Sequence, residues 1–521
     1  MLYHVYSSSN QLLSLFGKSV KMNRQTLFLF SIFLFSLYNI ACAQPKALTI
    51  LHTNDLHANF LPHEAAWIRS EPKPLVGGLL ELQYAIDSVR KTKTNVLTLD
   101  AGDDMTGNPI SEILEKNAYG GGFIEMLNHM GYEAWTPGNH DLDISQENLR
   151  NLIAIAKHPA VNANAVDSAG NHVLNTKPYI ILNKDGIRVG LIGLITEELF
   201  HVTNTNNLKG LKLLPVIETT QKIIDEIDDQ TDLIVAVTHK GVDEDSVLAM
   251  NTKGLDIIIG GHSHTRLKTP KFINNVIIAQ TGANCENLGV IDLEVENDKV
   301  TKYNGELVQL WKHESLPAND LSKLIDEFKS RIEKEYGVEV GSLTEDWKRS
   351  NNETSIGYFV ADAIRLGGNA DLGVTNSSGI RKDLLKGPVT KLNLFEVGPF
   401  RNFVCTFSLS GKEVRALIQK HLNALVNNKA NLQYAGVHCT YSVNGTEATI
   451  EKLSIGDSEL DDAKTYTVAT TDFLINQADK YLGFIPNAST PTEETMFNAM
   501  VSKVTKEKGL TTPAMQFVKA N

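Results

Sequence analysis

Long apolar runs, a surplus of basic residues and a cysteine framework are all missing from this chain, and each absence removes a class of protein. Only four cysteines stand among 521 residues, at Cys42, Cys285, Cys405 and Cys439. Without a leader carrying Cys42 three remain, an odd number, so disulfides do not hold this fold together even in an oxidising compartment. Lys and Arg total 49 against 61 Asp and Glu, a net charge of -12. That balance offers no basic face to displace counterions from a phosphate backbone, which excludes long nucleic acids as partners. Past the N-terminal region no stretch reaches the ~20 apolar residues of a membrane-spanning helix. Internal repeats and low-complexity tracts are also lacking. With 42% hydrophobic and 21% charged residues, the composition is that of a globular protein of two or three domains.

What is there begins with an address. Residues 22–44, MNRQTLFLFSIFLFSLYNIACAQ, set Arg24 before an apolar run from Leu27 to Ala41 and close on Ala41-Cys42-Ala43. A basic start, a short apolar core and an A-x-A site are the parts of an export signal, so residues 1–43 read as a signal peptide and the destination as periplasm or cell surface. Cys42 has a second reading, as a lipid-anchored first residue, although Asn39 stands where such signals carry Leu.

From residue 47 onward, short β-branched runs alternate with helical patterns. Strands are predicted over 47–51 (ALTIL), 95–99 (NVLTL), 133–136 (EAWT), 188–195 (RVGLIGLI), 232–238 (DLIVAVT), 255–260 (LDIIIG) and 276–281 (VIIAQT). Leu79, Leu82, Ile86 and Val89 fall at helical spacing between the first two. The alternation reads as an α/β layered domain with a largely buried sheet. One helix is expected over 318–336, with Leu321, Leu324, Ile325, Phe328 and Ile332 on a single stripe. It reads as a linker about which two lobes can swing. A second α/β segment follows, carrying GYFVADAIR (357–365), ADLGVTNSSGIR (370–381) and TYTVATTDFLI (465–475). The expected division is a catalytic domain over 44–314, a linker over 315–337 and a second domain over 338–521.

Five stretches directly after predicted strands are dense in metal-ligand side chains: TNDLH (Asp55, His57), DAGDD (Asp103), PGNHD (Asn139, His140), THKG (His239) and GGHSH (His262, His264). One His at a strand end is usually a satisfied loop residue, and an Asp beside Gly is usually a turn. Five successive strand ends with this chemistry need another reason. Loops at the carboxyl ends of the strands of an open α/β sheet converge on one crevice, so these residues should meet in space. Carboxylate, imidazole and amide ligands without thiolates suit Zn, Mn, Mg, Co or Fe. That many groups exceed the needs of one tetrahedral ion, so two divalent ions are expected. A pair of that kind activates water and clamps the oxygens of a phosphoryl group.

HTNDLH, GD, GNHDLD, THKG and GHSH resemble, in order, the five motifs of the calcineurin-like metallophosphoesterases, and specifically the bacterial periplasmic 5'-nucleotidase and UDP-sugar hydrolase branch. The likeness covers nearly the whole chain beyond residue 43, because the second lobe is similar to that branch's C-terminal nucleotide-binding domain. The resemblance implies a four-layer α/β/β/α catalytic domain joined by a helix to a C-terminal α/β domain. It implies that Asp55, His57 and His264 hold one ion, that Asn139, His239 and His262 hold the other, and that Asp103 bridges them. His140 is then no ligand. Oriented by Asp143, it would stabilise charge on the transferring phosphoryl group and protonate the departing oxygen, with Asp141 in a structural role.

In the second lobe the same resemblance places Phe400 and Phe473 around the nucleobase, Asn376 and Asn402 among the substrate contacts, Asp479 on the ribose hydroxyls and Arg381 on phosphate. Three departures stand out: QAD in place of Gly-Gly-Asp at 477–479, Arg349 one position from the first phosphate arginine, and Arg401 where a small or amide residue is commoner. The implied reaction is removal of the 5'-phosphate from nucleoside monophosphates by a metal-activated hydroxide. The alternative is hydrolysis of UDP-sugars or 2',3'-cyclic nucleotides at the same centre. A nucleotide-binding protein without turnover would show eroded ligands, and none of the seven is missing.

Overall fold

Strand β1 (Lys46–Thr53) opens the described part of the chain, which in this computed structural model is residues 45–520. The export signal and Cys42 lie outside the described residues. Helix α1 (Leu79–Thr92) and strands β2 (Val96–Asp100) and β3 (Ala134–Trp135) follow, and β1, β2 and β3 pair in parallel. Strands β4 (Tyr179–Lys184), β5 (Ile187–Ile195), β6 (Leu233–His239), β7 (Ile257–Gly260), β8 (Lys271–Ile273) and β9 (Val276–Ala279) make a six-stranded sheet in the order β8-β9-β7-β6-β5-β4. The antiparallel pair β10 (Asn287–Val295) and β11 (Val300–Gln309) returns to the first sheet, whose order is β11-β10-β1-β2-β3.

Side-chain alternation explains why both sheets are covered. Along β6, Leu233, Val235 and Val237 pack into one cluster with Ile50, Leu99 and Leu191, which lies between the two sheets. The intervening Ile234 and Ala236 point the other way, into a cluster with Ile223, Ile224 and Leu248 from helices over Val216–Ile227 and Val242–Asn251. Period-2 geometry sends successive residues to opposite faces, so a strand apolar at every position is a strand buried on both sides. The outer face of the first sheet is covered in the same way by Leu79, Leu82 and Ile86 of α1. The result is the expected four-layer α/β/β/α arrangement.

The helix expected as a linker spans Asp320–Tyr336 and is capped by Asn319 and Ser322 in reciprocal hydrogen bonds. It is no free tether. Leu321, Ile325, Phe328, Ile332 and Tyr336 are buried in the cluster that contains Phe60, Phe123 and Leu127 of the first lobe. A Cβ at Gly122 would collide with the Phe328 ring, so a side chain at 122 is incompatible with this seat.

The C-terminal lobe is built on a mixed five-stranded sheet containing strands Leu372–Asn376, Thr465–Thr471 and Phe403–Ser410. Helices Ser355–Gly367 and Met496–Glu507 cover one face and helix Gly411–Val426 the other. Cys285, Cys405 and Cys439 are free and buried.

Candidate metal centre and nucleotide cleft

The ligand-rich residues leave their strands in strained turns. Asp55, His57, Asp103, His262 and His264 all have positive φ, between 49° and 77°. A non-glycine residue in the left-handed region costs of order 1 kcal/mol or more and persists only where surrounding structure enforces it. Here the strain turns successive side chains onto one point. The ligand atoms of Asp55, His57 and His264 lie within 4.8 Å of one another, and so do those of Asp103, His239 and His262. Asp55 Oδ1 lies 3.9 Å from His239 Nε2, so the two clusters adjoin.

The hydrogen bonding fits cation binding. His57 Nδ1 faces the Thr106 carbonyl at 3.1 Å and His239 Nδ1 faces that of Ala101 at 2.7 Å. With those nitrogens donating, each Nε2 is left with its lone pair free for a metal. His57 Nε2 meets His264 Nε2 at 3.0 Å, so the two rings turn their Nε2 atoms toward one point. His239 Nε2 stands 2.9 Å from Asp103 Oδ2, and the buried Oδ1 of Asn139 has no hydrogen-bond partner. Buried polar atoms are rarely left so. The residues therefore suit a pair of divalent ions.

His140 sits beside both clusters and belongs to neither. Its Nδ1 is 2.7 Å from Asp143 Oδ2, which also accepts from Thr106 Oγ1 at 2.8 Å. Its backbone N–H donates to Asp103 Oδ1 at 2.7 Å. Burial works to lower the His140 pKa, but the Asp143 and Asp103 carboxylates outweigh it and hold it up at about 9. Asp141 faces inward and accepts from the N–H groups of Gly138, Asp103, Asp104 and Met105 at 2.8 to 3.1 Å. Burial first, and then the Asp103 charge, raise its pKa to about 7.

These groups open onto a cavity of about 290 Å³ whose far wall is the C-terminal lobe. Asn376, Arg381, Phe400, Asn402 and Phe473 line it opposite Asp103, Asn139, His140, His262 and His264. Phe400 stacks on His140 with centroids 5.9 Å apart and planes 28° apart, and Arg381 lies 5.6 Å over the Phe400 ring. Phe473 leans toward Tyr481 at 6.4 Å. One placement differs from expectation. Asp479 is exposed on the short helix Ala478–Tyr481 and does not line the cavity, whereas Lys480 and Tyr481 do. Successive helical residues are rotated by about 100°, so the turn that aims 480 and 481 inward aims 479 to solvent. Arg349 is also absent from the wall; it pairs with Asp383.

Residues 48–266 match the calcineurin-like phosphoesterase family, and residues 338–484 match the 5'-nucleotidase C-terminal domain. The chain is a calcineurin-like phosphoesterase carrying a 5'-nucleotidase C-terminal domain. It is 25% identical over 490 residues to a 5'-nucleotidase of Vibrio cholerae, covering 83% of this chain and 85% of that one. It is 28% identical over 495 residues to the trifunctional nucleotide phosphoesterase YfkN of Bacillus subtilis, covering 84% of this chain but only 32% of the longer YfkN. The fold is similar to that of a 5'-nucleotidase precursor from Thermus thermophilus, with a TM-score of 0.74 at 23% identity, covering 91% of this chain and all of that one. This phosphoesterase is thus a hydrolase of phosphoric esters that uses two divalent metal ions.

Several residues of the phosphoesterase site carry no signal in the sequence. Three of the four bonds accepted by Asp141, the Thr106 support of Asp143 and the contacts of Arg401 and Asp472 with the opposite lobe join residues distant along the chain. Asn204 Nδ2 donates to Asp472 Oδ2 at 2.7 Å and Arg401 Nη1 to Glu112 Oε2 at 3.2 Å. No helix among the described residues is long and apolar enough to cross a membrane.

Proposed function

We propose that this phosphoesterase is an exported enzyme that removes the 5'-phosphate from nucleoside monophosphates, with residues 44–314 catalytic, 315–337 linking and 338–521 binding the nucleoside. The carrying observation is a single cavity with two cation-ready clusters and His140 on one wall, and Arg381, Phe400 and Phe473 on the other. When bound, two divalent ions supply Lewis-acid activation of water and neutralise charge on the phosphoryl oxygens. Asp55, His57 and His264 would hold one, and Asn139, His239 and His262 the other, with Asp103 shared.

The protein's own groups do the rest. Asp143 accepts from His140 Nδ1–H and favours the imidazolium, which also carries a proton on Nε2, so His140 can donate to a phosphoryl oxygen and pass a proton to the departing 5'-oxygen. Arg381 offers a planar fork to phosphate. Phe400 and Phe473 offer apolar faces on which a base can stack, worth about 1–3 kcal/mol per base and tolerant of base identity. Asn376 and Asn402 can hydrogen-bond the nucleoside, and Lys480 and Tyr481 stand at the wall where Asp479 was expected.

Phosphate release from AMP, with and without EDTA, tests the reading: activity should vanish with the chelator and return with metal. Phe473→Ala should raise KM for AMP severalfold and leave hydrolysis of p-nitrophenyl phosphate nearly unchanged. Equal losses on both substrates would remove the stacking role, and no release from any nucleotide by metal-loaded protein would end the proposal.

A further inference from the structure

The segment GPFRNF, 398–403, joins helix Lys391–Val397 to strand Phe403–Ser410 and is the part of the C-terminal lobe pushed into the catalytic wall. Its three central residues touch three different things. Phe400 stacks on His140, Asn402 lines the cavity, and Arg401 crosses to the first lobe. The Arg401 guanidinium bonds Glu112 Oε2 at 3.2 Å and lies 4.5 Å over the Tyr119 ring, so it has both an ion-pair and a cation–π partner there.

Glu112 is no distant surface acid. It ends the turn Pro109–Glu112, which follows directly on the loop that carries Asp103 and Thr106. Arg401, Glu112, Thr106, Asp143 and His140 together line a small cavity beside His140. The Asp143 charge is felt at Glu112, whose carboxyl is raised by burial and lowered by Arg401. Without the guanidinium, two part-buried carboxylates would stand near each other behind the imidazole with no cation between the lobes. Repulsion of that kind is costly at low dielectric.

We infer that Arg401 is a positioning residue: its bond to Glu112 latches the C-terminal lobe onto the first and thereby seats Phe400 against His140 and keeps the His140–Asp143 pair in its working geometry. The inference rests on the phosphohydrolase reading above. It assigns Arg401 to the catalytic step and not to holding the nucleotide, although the residue borders the cleft. Other cross-lobe contacts, such as Asn204 with Asp472 and Thr205 with Asn476, are neutral-donor bonds and do not replace this charge.

The test compares metal-loaded full-length wild type with R401M, R401E, E112R and the reversed pair R401E/E112R, on AMP and on p-nitrophenyl phosphate, with bound metal measured for each. Displacement of a catalytic group by a fraction of an ångström costs tenfold or more, so R401M should lower kcat about tenfold on both substrates, with KM for AMP within about twofold and metal content unchanged. The reversed pair should recover most of what either single reversal loses. In hydrogen exchange, amides of 398–403 should exchange faster in R401M than in wild type and return toward wild type in the reversed pair. A kcat for R401M within about twofold of wild type overturns the inference. So does a loss confined to KM for AMP, which would make Arg401 a substrate contact, or reversed charges that fail to recover. Should R401M not fold, R401K and E112Q carry the same comparison. Wild type inactive on both substrates would instead count against the proposed function, and the exchange measurement would still decide the latch.

Discussion

His140 is useful because of what fixes it, and each fixture is a separate bond: Asp143 on its ring, Asp103 on its backbone and Phe400 on its face. Since it belongs to neither cluster, His140→Ala should lower kcat about 10²-fold or more while metal content, read by elemental analysis, stays constant. Lost metal would make it a ligand. Asp141 is the opposite case, with no route to the substrate but four backbone donors in its grip. Burying a donor unpaired costs about 1–3 kcal/mol, so Asp141→Ala should release the 103–105 loop, lower Tm and reduce metal occupancy even at excess metal. Full occupancy and an unchanged Tm would contradict that role. The candidate ligands were legible because each stands beside a strand end. The Asp141 bonds were not, since a carboxylate in a turn looks the same whether it faces solvent or four N–H groups.

Helix Asp320–Tyr336 shows the same divide between pattern and partner. Its stripe could be read from the spacing of Leu321, Ile325, Phe328 and Ile332, and reading it as a swinging linker was reasonable for an amphipathic helix between two α/β segments. Spacing does not say what the stripe meets. It meets the first lobe's core, with Phe328 fully buried beside Gly122, and its last residue, Tyr336, packs on Phe395 and Phe497 of the C-terminal lobe. Phe328→Ala leaves a hole there and should cost about 3–5 kcal/mol, lowering the denaturant midpoint of the first lobe. A shift near zero would mean that the helix is not part of that core. The placement of Asp479 follows from one short helical turn whose rotation only the fold sets.

Two lobes meeting at one cleft make stability and activity respond to pH separately, and the C-terminal lobe carries a marked acid liability. His421 is buried between Tyr434 and Phe517, and desolvation lowers its pKa to about 4. The unfolded chain takes that proton near pH 6.5, so the stability of the neutral, buried form is fully present above about 6.5 and is lost as the pH falls toward 4, at about 1.4 kcal/mol per unit. His421→Phe should flatten this acid arm by one proton's slope in denaturant titrations between pH 4 and 6.5. An unchanged slope would show that His421 does not set it. His158, also held at about 4 by burial, would continue to contribute from the first lobe.

The alternation of strands and helices and the ligand-type side chains at five strand ends follow from the amino-acid order alone, because they rest on local rules: strand alternation, helical spacing and the convergence of loops at strand ends. The four-layer class and the pairing of His140 with Asp143 were implied by the resemblance of those motifs to a family. The tertiary structure alone decided which aromatic ring lies on His140, where helix Asp320–Tyr336 is buried and that Arg401 reaches Glu112. Those contacts join residues up to 289 positions apart. Their energies depend on distance and burial, and neither exists until the chain has folded.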